Sequence, residues 1–95
     1  MTRYIGILER EPGTLWGVWF PDLPGCITAA ETADLAVDRA HEVVALWLED
    51  ASQDGETPPV PRSLEELWAD PEVSEAFKAG HAALVIPAPA LRNAA

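Results

Sequence analysis

Residues 19–28 read Trp-Phe-Pro-Asp-Leu-Pro-Gly-Cys-Ile-Thr, and this stretch decides the fold. Proline has no amide proton to give to a strand ladder, so Pro21 ends the aromatic and β-branched run over residues 14–20 (TLWGVWF). Residues 21–25 (PDLPG) then form a rigid corner, and residues 26–29 (CITA) read as a short third strand.

Towards the N-terminus, residues 2–9 (TRYIGILE) alternate as a strand: Arg3, Ile5, Ile7 and Glu9 share one face, and Tyr4, Gly6 and Leu8 the other. Pro12-Gly13 suits a turn into residues 14–20, making a hairpin. Towards the C-terminus, Thr32 is the expected N-cap of a helix over residues 33–53, with Asp34 in the first turn, where the helix dipole favours an anion. Ala33, Ala36, Val37, Ala40, Val43, Val44, Trp47, Leu48 and Ala51 fall on one broad face, and Asp34, Asp38, Glu42 and Glu49 lie opposite. Gly55 marks the stop. Residues 55–61 (GETPPVP) are an extended connection. Ser63 and Glu66 have capping-box spacing for a short helix over 64–68, Asp70-Pro71 opens another that Gly80 ends, and residues 82–86 (AALVI) read as a buried last strand.

The order is β-β-β-α-(short helices)-β. The expected fold class is α+β in two layers: antiparallel strands with one long helix on one face, and short helices before the last strand. If the last strand pairs beside the first, a right-handed crossover is expected. One domain is expected over residues 1–89, with a frayed tail over 90–95.

The chain has 95 residues and a formal charge of −10, and residues 31–75 hold thirteen acids against two bases. Binding phosphates needs clustered Lys and Arg, so direct nucleic-acid binding is not expected; a basic protein partner is. The lone Cys26 has no disulfide partner in the chain, which favours a reducing compartment, and with no signal sequence or membrane span in view the expected address is the cytoplasm.

Candidates for chemistry are few. His41 and His81 lack metal-ligand spacing to another His or Cys, Cys26 reads as a buried structural thiol, and the six glycines are isolated. Asp22 and Glu42 could meet only if the corner folded over the polar side of the helix. No catalysis, cofactor or metal is expected.

The aromatics say more. Trp16, Val18 and Phe20 point to one side of the second strand, and Leu15, Gly17 and Trp19 to the other. A single helix covers one sheet face, so either Trp16 or Trp19 is left open or is covered by residues 64–79 or by another chain. On the helix, Leu35 and Leu46 lie about 160° and 140° from the apolar centre, on a stripe with Arg39 and Glu42, which hints at a contact surface.

Residues 19–28, with Thr32, Ala36, Ala40 and Glu42, and later Gly55, Pro59, Pro61 and Ser63, resemble the HicB family of antitoxins. The strand-PDLPGC-strand signature is the specific part, and the resemblance spans about residues 3–87. Two departures stand out: Ala30-Glu31 precede Thr32 where the family usually has a glycine, and Leu35-Ala36 replace a usual Glu-Ala pair.

The resemblance implies a partial RNase H-like fold and the role of antitoxin in a bacterial type II toxin–antitoxin pair. The implied partner is a HicA-like toxin, a small basic ribonuclease with a catalytic His, bound so that its RNA-facing surface is masked. Longer members add a DNA-binding region. Here only Arg92 is basic after the last strand, so DNA binding is not carried over. Candidate partner contacts are Trp16, Trp19, Asp22, Leu35, Arg39, Glu42 and Leu46, and self-association through an open sheet edge is expected. The rival readings are an orphan homo-oligomeric adaptor and a metal-dependent nuclease using Asp22.

Overall fold

In the computed structural model of the chain, residues 2–10 and 12–89 are described, and the expected tail over 90–95 lies outside them. The elements are β1 (Arg3–Arg10), β2 (Trp16–Trp19), β3 (Ile27–Ala30), α1 (Ala33–Gln53), α2 (Leu64–Trp68), α3 (Pro71–Lys78) and β4 (Ala82–Pro87). They follow the expected order. Thr14 and Leu15 belong to the hairpin turn, because the last β1–β2 pair is Arg10 with Trp16. Turn chemistry prevails over strand propensity there: Gly13 sits at a φ of 81°, and Arg10 Nε donates to the Thr14 carbonyl at 3.2 Å.

The four strands form one antiparallel sheet in the order β3-β2-β1-β4. The last strand does lie beside the first, but antiparallel to it, so the handedness rule for parallel crossovers does not apply.

The PDLPG corner is two successive turns. Leu23 N–H donates to Phe20 O at 3.1 Å, and Cys26 N–H donates to Leu23 O at 2.9 Å. Phe20, Leu23 and Cys26 are all buried, so the corner is anchored by its apolar side chains as well as by its prolines.

Helix α1 begins as expected, with the Thr32 hydroxyl accepting from Leu35 N–H at 3.1 Å. It ends in paired bonds from Gly55 N–H to Ser52 O and from Glu56 N–H to Ala51 O, with Gly55 at a φ of 74°. Ala36, Ala40, Val44, Leu48 and Ala51 are its buried stripe. Ala36, Ala40, Val44 and Leu48 pack on Tyr4, Val18, Phe20 and Ile86.

The two-layer expectation is corrected. Ile5 and Ile7, on the other face of β1, pack with Leu67, Val73 and Ala76 of α2 and α3, with Trp19 and Phe77 at the border. The sheet is therefore covered by α1 on one face and by the α2–α3 pair on the other. The reason lies in β1, whose side chains are apolar in both directions, so neither face can be left to water. Trp68 stacks on Phe77, with ring centroids 4.8 Å apart, on the outer side of that pair.

Gly6 marks where the sheet meets the corner most tightly. A Cβ built there would sit 2.9 Å from Phe20 Cε2 and 2.9 Å from Val18 Cγ1, both in the α1-side core. Gly6→Ala is expected to destabilise the domain by about 1–3 kcal/mol. Thermal unfolding should then show a Tm lower by roughly 5 °C or more; an unchanged Tm would contradict this packing.

Candidate partner-binding surface

The second-strand tryptophans lie on opposite faces, and neither is left open. Trp16 is half-buried on the α1 side, with the Arg10 guanidinium 5.2 Å from its ring centroid. Trp19 is half-buried on the other side, where α3 covers it, and its Nε1–H donates to Glu9 Oε2 at 3.2 Å. The cover comes from within the chain.

Asp22 is occupied inside the molecule. Its carboxylate accepts from Arg62 N–H at 2.8 Å and from Arg62 Nε at 2.7 Å, and its side chain is only 9% exposed. Arg62 also reaches Asp70 Oδ2 at 3.0 Å, while Asp70 Oδ1 caps α3 through Glu72 N–H at 2.9 Å. Tyr4 adds a parallel tie, its hydroxyl donating to Pro59 O at 2.6 Å. Burial, and then the Asp22 charge, push the Tyr4 phenol above its ordinary range. These bonds clasp the corner, the 55–63 connection and the start of α3 together. Arg62 and Asp70 were not among the candidates, although Arg62 is one of only two bases in the acidic stretch. Glu42 stays exposed on α1, and no bond among the described residues joins it to Asp22.

The α1 stripe is outward-facing, with Leu35 39% and Leu46 59% exposed. Arg39 Nη1 donates to the carbonyl of Ala29 on the edge strand β3 at 2.8 Å, and Trp47 Nε1–H donates to Pro24 O at 3.0 Å. These bonds set Arg39 over β3 and Trp47 over the corner, while Leu35, Glu42 and Leu46 are exposed on the outer side of α1. Arg39 holds one of its donors to the strand edge, which blunts the edge against stray pairing. Of the seven candidates, four are therefore exposed on α1, while Trp16, Trp19 and Asp22 are packed or paired within the chain.

Cys26 is buried, and burial pushes its thiol up to about 11. Among the described residues no group of three or more His, Cys, Asp or Glu side chains could hold a metal ion, and no helix is long and apolar enough to cross a membrane. Asp22, the residue named for the nuclease reading, faces the Arg62 guanidinium at 2.7 Å.

The clasp has a measurable weight. Arg62→Ala leaves Asp22 poorly solvated and without its cation, and is expected to cost about 1–2 kcal/mol after allowance for the part-exposed guanidinium. The Arg62 hydrogen bond, then the Glu72 N–H, hold the Asp70 carboxyl below its ordinary range. Its unfolded value is about 3.9, so its contribution is complete above about pH 4 and is lost as pH falls through the lower folded value. Denaturant midpoints measured from pH 7 down to pH 2 should fall in that window for the unmodified chain, and should be lower at pH 7 with a shallower acid drop for Arg62→Ala. Equal curves would deny the clasp its role.

Residues 4–85 match the family described as HicB-like antitoxin of bacterial toxin–antitoxin systems. The N-terminal domain of the Burkholderia pseudomallei antitoxin HicB is similar at 26% identity and a TM-score of 0.76, over 93% of this chain and 99% of that one. The longer Burkholderia pseudomallei HicB structure aligns at 25% identity and a TM-score of 0.77, over 100% of this chain and 75% of that one. A HicA3 and HicB3 toxin–antitoxin complex contains a chain of the same fold, at 21% identity and a TM-score of 0.70, over 93% of this chain and 99% of that one. No curated protein matches. With the match running from β1 into β4, through the corner and both helical layers, the chain belongs to the HicB-like family of bacterial antitoxins.

Proposed function

We propose that this antitoxin works by binding a HicA-like ribonuclease toxin and covering the surface with which the toxin meets RNA. Family membership supports this, as does the related fold found in a HicA3–HicB3 complex. The observation that carries the choice of surface is the α1 stripe, where Leu46 is 59% exposed with Leu35, Arg39 and Glu42 on the same outer side of the helix. Two leucines give apolar contact and the charges between them give register. The net charge of −10 favours a basic toxin and speeds the encounter. No reaction by the chain itself is part of this reading.

Finer parts of the reading go with it. A single antitoxin domain over 1–89 is supported by the family match and by elements that end at Pro87. The partial RNase H-like description is supported by the three-stranded meander backed by one long helix. A cytoplasmic address is supported by the unpaired, buried Cys26. Self-association through the outer edge of β4 is supported by the exposed Val85 and by the lack of any charged side chain over residues 82–91, which lets two acidic copies approach there.

The test is an RNA-cleavage assay with the product of the small open reading frame beside this gene as the toxin. The unmodified chain should abolish cleavage near equimolar ratio, and Leu46→Asp should weaken inhibition about tenfold or more. Light scattering on the free chain should read about twice the monomer mass. A toxin that cleaves undisturbed would favour the orphan adaptor, and a monomer at every concentration would remove self-association.

A further inference from the structure

The α1 stripe accounts for one side of the β3 rim; the other side holds a trough that the stripe does not explain. Ile27 is 67% exposed, the most exposed large apolar side chain on the described strands. Its register partner is Trp19, and the two form the floor of a shallow depression walled by Glu72, Glu75 and Ala76 of α3. The depression continues into a recess of about 250 Å³ between Pro21 and Pro24 of the corner and Val73 of α3.

The carboxylates around it are not equivalent. Glu9 is held by Trp19 Nε1–H, and Asp70 by Arg62 and the Glu72 N–H. Among the described residues, the Glu75 carboxylate meets only the exposed Lys78, at 3.6 Å, a contact that contributes little. Glu72 and Glu75, three residues apart on α3, are exposed and line the trough.

We propose that this trough seats a segment of the toxin that lays an aliphatic or aromatic side chain on Ile27 and Trp19 and points a Lys or Arg at Glu72 and Glu75. The proposal rests on the antitoxin reading above and deepens it by naming a second contact, so that the partner grips β3 from both layers. Charge selects the occupant. The acidic wall repels nucleic acid, and it repels a second copy of a chain whose net charge is −10. The exposed apolar floor gives a purely polar ligand nothing to cover. A cation flanking an apolar anchor satisfies both.

Calorimetric titration with the adjacent-gene toxin, its catalytic His replaced, tests this. Ile27→Glu and the double variant Glu72→Gln/Glu75→Gln should each raise Kd about tenfold or more, and the double variant should flatten the salt dependence of binding. Val60→Glu, at an 88% exposed position of the 55–63 connection outside the trough, should bind like the unmodified chain. Circular dichroism checks that each variant folds, and the exposed helix positions keep the test sound if Ile27→Glu does not. Full binding by both trough variants would remove the trough and leave the antitoxin reading intact; an unmodified chain that fails to bind would remove both. Loss of self-association with toxin binding preserved would assign the trough to a second copy and overturn the proposal.

Discussion

Arg62 joins pieces of chain that no secondary-structure element connects. Its backbone N–H and Nε meet Asp22 on the corner after β2, and its Nη1 meets Asp70 at the start of α3. A four-stranded sheet with apolar side chains on both faces needs two covers. The first, α1, is long enough to lie down through its own buried stripe. The second is made of two helices of five and eight residues, too short to be stable alone in water. Their capping bonds and the Arg62 clasp hold them over Ile5, Ile7 and Trp19. Close to the clasp, Tyr4 fastens the proline-rich connection through Pro59. The corner, the connection and the second cover therefore depend on one another.

Closing both faces has a consequence for binding. Both large aromatics of β2 are half-buried, Trp16 beside α1 and Trp19 beside α3 at the floor of the trough, so contact has to come from the edges and the outer helix sides. The β3 edge is the richer of the two. It carries the Arg39 bond, the Leu35 and Leu46 stripe on one side, and Ile27 with the carboxylates of α3 on the other. The β4 edge is apolar and uncharged. The two edges thus differ in chemistry, one acidic with an exposed apolar side chain and one apolar and uncharged.

Much of the fold was legible in the sequence because local chemistry agreed with the final structure. Thr32, Ser63 and Asp70 cap helices that begin where they stand, and Gly55 and Gly80 end them. Pro21 closes β2 and the corner forms as written. The second layer was legible only as one alternative, cover by residues 64–79, because α2 is a single turn and α3 little more than two, and nothing local says which sheet face they cover. The site was read less completely. The α1 stripe could be seen from its angle on the helix. Ile27 could not, because its exposure depends on β3 being the edge strand, which is a fact of topology. The partnership of Asp22 with Arg62 spans forty positions, and no spacing rule reaches that far.

The claim at the centre of this account is that the toxin grips β3 from both layers while α2 and α3 stay closed on the sheet. Amide hydrogen exchange, measured on the antitoxin alone and saturated with toxin, tests it most directly. Slowed exchange over residues 27–30, 35–46 and 70–76, with β4 unchanged, is the predicted result. Protection confined to β4, or faster exchange in α2 and α3 as they lift away to admit the toxin, would contradict it.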